Sequence, residues 1–141
     1  MLSGQRLKAR VEDVLARCAL QSVAEKSIRK LSRGYRQRVG MAQVLLHEPD
    51  VLIMDEPTSG LDPNQIREVR RMIRELGQSK TILLSTHILQ EVEAMAGRVI
   101  LISRGRVVFD GTPEEMRGGH ASLDDAFHAL TQEQPCEPAA V

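Results

Sequence analysis

The sequence predicts an α/β fold, and three observations predict it. Short unbroken apolar runs rich in β-prone residues, Val51–Met54 and Thr81–Leu84, have the length and composition of parallel strands buried on both faces. Between them Ile66, Val69, Met72, Ile73 and Leu76 recur at helical spacing, so that strand, helix and strand follow in order. Further on, Arg98–Ile102 and Val107–Phe109 lie either side of Arg104-Gly105, the pattern of an antiparallel hairpin.

Each element has its own local reason. Leu7, Val11, Val14, Leu15 and Cys18 form one stripe, which predicts an amphipathic helix over residues 6–19 that ends near Leu20. Gln21–Lys30 reads as a connector. Ser32 then reads as the N-cap of a helix from about Arg33 to His47, with Val39, Ala42, Leu45 and Leu46 on one face, basic residues on its wet side and Pro49 as its stop. Pro63 suits the first turn of the next helix and Gly77 its end. A helix near Leu89–Met95 follows the second strand, and Ser122–Leu130 forms the last helical segment. Gln132–Val141 is expected to be a disordered tail.

Composition narrows the function classes. The chain has 141 residues, enough for one domain, and its 19 Lys and Arg balance its 19 Asp and Glu. A formal net charge of zero gives no global electrostatic case for nucleic acid or an anionic membrane. The longest apolar runs fall far short of the ~20 residues of a membrane-spanning helix, and the N-terminus has no signal-peptide pattern. Cys18 and Cys136 stand far apart without Cys or His neighbours at metal-binding spacing, which fits a reducing cytoplasm.

Three motifs carry chemistry. At the end of the first strand Asp55 and Glu56 emerge together, where α/β sheets bind ligands. An Asp there can hold Mg²⁺, and a Glu beside it can take the proton of a water attacking a phosphoryl group. The second motif is Leu31-Ser32-Arg33-Gly34-Tyr35-Arg36-Gln37-Arg38-Val39, in which a helix start offers backbone N–H groups, a hydroxyl and a glycine to an anion. The third is Ser85-Thr86-His87, an imidazole at a strand end that can reach a terminal phosphate. Taken singly, an acidic turn, an ordinary capped helix and a loop histidine describe them equally well.

In this order and spacing the motifs resemble the ATP-binding cassette (ABC) ATPases, from about Arg6 to about Thr131. Leu31–Tyr35 looks like the signature, Val51–Glu56 like Walker B, Ser59-Gly60-Leu61-Asp62 like the D-loop, and His87 like the switch histidine. The signature wording is similar to the subfamily that powers ABC-2 type exporters, although Arg33 and Tyr35 stand where Gly and Gln are commonest. The phosphate-cradling string Gly-x-x-x-x-Gly-Lys-[Ser/Thr] occurs nowhere in the sequence, and neither a Q-loop glutamine nor an adenine-stacking aromatic is evident. Met1-Leu2-Ser3-Gly4-Gln5 also contains a signature-like string, but no strand lies downstream of it at the right distance.

The resemblance therefore implies a partial P-loop NTPase core: parallel strands with flanking helices and a C-terminal β-hairpin, with the N-terminal half of the domain missing. Residues 1–48 would be the end of a helical subdomain with the signature, 49–131 the C-terminal half of the nucleotide-binding core, and 132–141 the tail. In that family two cassettes sandwich ATP and Mg²⁺ head to tail. Ser32, Arg33 and Gly34 would then face the γ-phosphate across the dimer, Asp55 would support Mg²⁺, Glu56 would deprotonate water, His87 would hold the γ-phosphate and Asp62 would couple the two sites. The implied partners are ATP, an ABC-2 type membrane permease, and a second cassette or an N-terminal complementing half. The implied place is cytoplasmic, at the inner face of the membrane, with no nucleic acid expected. The other readings are a non-hydrolysing signature-donating module, a decayed fragment, and a soluble ABC ATPase acting on nucleic acid.

Overall fold

A computed structural model of the chain describes residues 4–132, which divide after Ser85 into two compact units. The first, up to Ser85, contains three helices and a pair of parallel strands. Helix α1 (Gly4–Arg17) leads through two short 3₁₀ turns, Gln21–Val23 and Ile28–Lys30, to α2 (Arg33–Leu45). Strand β1 (Val51–Asp55), helix α3 (Pro63–Gly77) and strand β2 (Thr81–Ser85) complete it. β1 and β2 pair in parallel, with Ile53 opposite Leu83 and Asp55 opposite Ser85. The strand–helix–strand expectation therefore holds.

Burial follows the helical stripes, with instructive exceptions. On α3, Val69, Met72, Ile73 and Leu76 are buried, and Gly77 lies 3.8 Å from Ile82 across the helix–strand contact when given a Cβ. On α1 only the second half of the stripe is covered: Val14 and Cys18 are buried, whereas Leu7 and Val11 are exposed. On α2 the buried face is Gly34, Arg38, Met41, Ala42 and Leu45, so one of the basic residues lies inward rather than in water. Arg38 pairs with Glu68 of α3 and its guanidinium carbon lies 5.1 Å from the centre of the Tyr35 ring, which together offset the cost of burying the charge. The C-terminus of α2 is closed from outside, because Arg10 donates to the Leu45 carbonyl at 2.7 Å and pairs with Glu48.

Gly77 is the last residue of α3, as expected, without a left-handed conformation; the helix turns tightly, with the amides of Ser79 and Lys80 bonding the Leu76 carbonyl. One expectation for this unit is corrected. β1 is not buried on both faces. Leu52 is buried, but Val51 and Ile53 are 55% and 77% exposed. In a parallel pair in register, Val51, Ile53 and Leu83 share one face and Leu52, Ile82, Met54 and Leu84 the other. α3 packs on the second face only, so an unbroken apolar run here has one covered side and one open side.

The second unit starts at Thr86. Helix α4 (Leu89–Met95) leads to the hairpin β3 (Val99–Ser103) and β4 (Arg106–Gly111). Arg104 and Gly105 both have positive φ, 50° and 75°, the geometry whose twist suits a two-residue hairpin loop. Arg98 and Asp110 clasp across the start of the hairpin through two hydrogen bonds of 2.7 and 2.9 Å. The Arg98 hydrogen bonds hold the Asp110 carboxyl below the usual carboxylate range.

Helix α5 (Pro113–Arg117) was not expected from the sequence, although Thr112-Pro113-Glu114-Glu115 is a capping box with Pro at the first helical position. Thr112 Oγ1 accepts from the Glu115 amide at 3.1 Å and Glu115 accepts from the Thr112 amide at 2.7 Å. The helix has no room for a periodic stripe, which is why its cap was its only signal. α6 (Leu123–Gln132) packs against α5 and β4 and buries Leu123 and Ala126. Gln132, assigned to the tail, closes this helix; the rest of the tail, Cys136 included, and Met1–Ser3 of the signature-like string lie outside the described residues.

Candidate functional site

Within the first unit the folded chain brings the signature-like segment against the turn that precedes α3. Ser32 has extended backbone angles, and its Oγ accepts from the Tyr35 amide at 3.4 Å, so it caps α2 as the sequence predicts. Arg36 reaches back to the Leu31 carbonyl and fixes the entry to the helix. Ser32 and Arg33 are exposed while Gly34 is buried, which presents a hydroxyl and the amides of the first turn at the surface.

Two side chains link this helix start to the next turn. The Arg33 guanidinium lies against Gly60, its Nε 3.0 Å from where a Cβ on that glycine would stand. Gln65 lies against Gly34 in the same way, its Cδ 2.6 Å from such a Cβ. Gly60 is required on a second count, since its φ is 69°. Gln65 and Gly60 therefore belong to the candidate site together with the residues chosen from sequence. Gln65 carried no sequence signal, because its role depends on two helix starts meeting in space.

The acidic pair stands at the end of β1. Asp55 is exposed and accepts a hydrogen bond from the hydroxyl of Ser85, its register partner on β2. The Glu56 amide donates to the Ser85 carbonyl at 3.1 Å, and Glu56 adopts a left-handed φ of 46° as the strand breaks into a turn. Such a φ is uncommon outside glycine and turns the chain sharply where the two carboxylates emerge. The amides of Ser59 and Leu61 bond the carbonyls of Glu56 and Thr58, and Pro57 and Thr58 are buried, so the turn is anchored from beneath. The sequence places Ser85 only at the head of the histidine motif, yet aligning the ends of the two apolar runs puts it beside Asp55.

Asp62 ends the turn as the N-cap of α3, accepting from the amides of Asn64 and Gln65 at 2.9 and 3.0 Å, with Pro63 at the first helical position. A structural duty therefore accompanies whatever coupling role it has. His87, in the second unit, is exposed and lies between Thr86 and Ile88 in the turn ahead of α4. Among the described residues no group of three or more His, Cys, Asp or Glu is arranged to hold a metal ion. Mg²⁺ on a nucleotide takes one or two carboxylates and completes its shell with water and phosphate oxygens. Asp55, an exposed strand-end carboxylate with a hydroxyl beside it, is a donor set of that kind.

The chain is similar to known proteins over most of its length. The profile of the ABC transporter family matches residues 3–59. The ABC transporter ATP-binding protein NatA of Bacillus subtilis is 37% identical over 124 residues, a match covering 87% of this chain and 50% of that protein. The Nod factor export ATP-binding protein I of Cupriavidus metallidurans is 41% identical over 125 residues, covering 87% of this chain and 41% of that protein. A solved ATP-binding subunit of an ABC transporter superposes with a TM-score of 0.74 at 31% identity, covering 92% of this chain and 56% of the other. The chain thus spans about half the length of the relatives it matches, and it belongs to the ABC transporter ATP-binding family.

Proposed function

We propose that this chain contributes the signature turn, the Walker B strand end and the D-loop to an ATP-hydrolysing subunit that energises export through a separate ABC-2 type membrane permease. The observation that carries the reading is the joining of Arg33 to Gly60 and of Gly34 to Gln65, one turn beyond the Asp55–Glu56 strand end. Export is favoured by the wording of Leu31–Val39 and by relatives such as the Nod factor export protein. Among the described residues no helix is long and apolar enough to cross a membrane, so a transport role calls for a membrane partner.

In this reading Ser32 and Gly34 offer a hydroxyl and helix-start amides to the γ-phosphate of an ATP held by a second cassette, with Arg33 adding positive charge nearby. Asp55 holds Mg²⁺, which neutralises charge on the phosphate oxygens when bound. Glu56 orients the attacking water and takes its proton, and His87 donates a hydrogen bond to the γ-phosphate. Asp62, which sets the start of α3, carries a change at one site toward the other. The protein acts in the cytoplasm at the inner face of the membrane, and the balanced charge speaks against nucleic acid.

The exposed, Ser32-capped start of α2 supports a second reading, in which the chain lends its signature turn to an intact cassette without hydrolysing ATP itself. Both readings expect the chain alone to bind ATP weakly and to hydrolyse it no faster than its Glu56→Gln variant. The deciding experiment mixes the chain with an intact cassette of the family whose hydrolysis is blocked, with and without MgATP. Association that requires MgATP and is lost in Ser32→Arg is the expected result; association indifferent to both removes the signature role. A phosphate-loop segment added as a separate polypeptide restores hydrolysis in the first reading and not in the second.

A further inference from the structure

A buried carboxylate stands directly behind the histidine turn. Glu91 of α4 has no exposed surface, although a glutamate is among the residues least often fully buried. Its Oε2 accepts from the hydroxyl of Thr86 at 2.9 Å. The same hydroxyl accepts from the Ile88 amide at 3.1 Å, and the Glu91 amide donates to the Ile88 carbonyl at 2.9 Å. The bonds close a ring around one residue, His87.

A hydroxyl has a single proton. When Glu91 takes it, the lone pairs of Thr86 are turned toward the Ile88 amide, and the backbone on both sides of His87 is tied by these bonds. The imidazole itself stays exposed. We infer that Glu91 is a positioning residue for His87, acting through the Thr86 hydroxyl to hold the turn that presents the imidazole. The inference rests on reading His87 as the group that meets the γ-phosphate. What Glu91 supplies is an acceptor, so Gln should serve and Ala should not.

The test is amide exchange and histidine ring line shape, measured by NMR on the whole chain. Thr86→Val and Glu91→Ala should each speed exchange of the Ile88 amide by about tenfold, the worth of roughly one hydrogen bond, and should broaden or split the His87 ring signals. Thr86→Ser and Glu91→Gln, which keep the hydroxyl and the acceptor, should stay within about twofold of the parent, since they keep the bond. Exchange at Leu101 in the hairpin serves as the control. Faster exchange there in step with Ile88 would mean that the unit has merely loosened, and would overturn the inference, as would unchanged exchange at Ile88 in Thr86→Val. If Glu91→Ala does not fold, Thr86→Val, whose side chain has nearly the same shape, decides alone. A titration of the parent chain with MgATP, followed at the His87 ring, tests the phosphate reading separately: no shift removes that reading and leaves the positioning result as measured.

Discussion

The two faces of the β1–β2 pair are built from the same kinds of residue and have opposite fates. On one, Leu52 is covered and α3 lays Val69, Met72, Ile73 and Leu76 into the interior. On the other, Val51, Ile53 and Leu83 stand in water. The composition of a strand says that its side chains can be buried; whether they are is decided by what packs on each side. The covered face positions the site, because it holds α3, which Asp62 caps and which carries Gln65 in its first turn.

The largest effect should come from the covered face. Leu76→Ala removes a side chain that is 2% exposed and leaves a cavity beneath the strands. It should cost about 2–5 kcal/mol in urea unfolding. A cost under about 1 kcal/mol would mean that this face is no better packed than the open one.

Gly60→Ala should come next, at about 1–3 kcal/mol, because alanine at a φ of 69° is strained and its Cβ would displace the Arg33 guanidinium. The variant also separates two causes. If Arg33→Ala relieves part of the cost of Gly60→Ala, the contact between the turns is real in solution; strictly additive effects would attribute the whole cost to the backbone. Asp62→Ala should cost about 1 kcal/mol through loss of the α3 cap, less than either.

Cys18 sharpens the comparison chemically. It is fully buried just past the end of α1, and desolvation raises its thiol pKa from 9.0 to about 11, against lesser opposing effects of Arg17 and Arg38. A thiol held neutral by folding contributes stability that is complete below the unfolded value and is lost as pH rises through the folded one. The fall in stability between pH 9 and about 11 should therefore be shallower in Cys18→Ala than in the parent, other groups titrating alike in both. Equal slopes would place the thiol in contact with solvent.

How much of this was legible beforehand follows the range of the interactions. Ser32 and the Arg104-Gly105 turn were readable because each is settled within three residues, by a side chain bonding a nearby amide or by a loop too short for other conformers, whereas the equally local Asp62 cap is seen only in the structure. The strands and the α3 stripe were readable from periodicity. The α5 capping box is equally local, but a five-residue helix holds no apolar period to mark it out. Gln65 against Gly34, Ser85 on Asp55, and Arg38 buried on Glu68 span about thirty residues each, and nothing in the local pattern of either partner announces the other. That part of the strand's cover is missing follows from the half-domain resemblance, but which face stays open does not. A continuous apolar strand implies cover, but the cover must come from another part of some polypeptide.

The smallest stability effect is the most telling about that face. Ile53 is 77% exposed, so Ile53→Thr removes little surface that folding buries, and threonine is as well suited to a strand as isoleucine. Unfolding free energy should change by no more than about 0.5 kcal/mol, the usual range for surface substitutions. Self-association should change far more, because Val51, Ile53 and Leu83 form a contiguous apolar patch beside Val44, of the kind that seeks a partner. Light scattering on the parent should rise with concentration and fall sharply in Ile53→Thr. If Ile53→Thr instead costs as much as Leu76→Ala, the face is covered in solution, and the two sides of the sheet are alike after all.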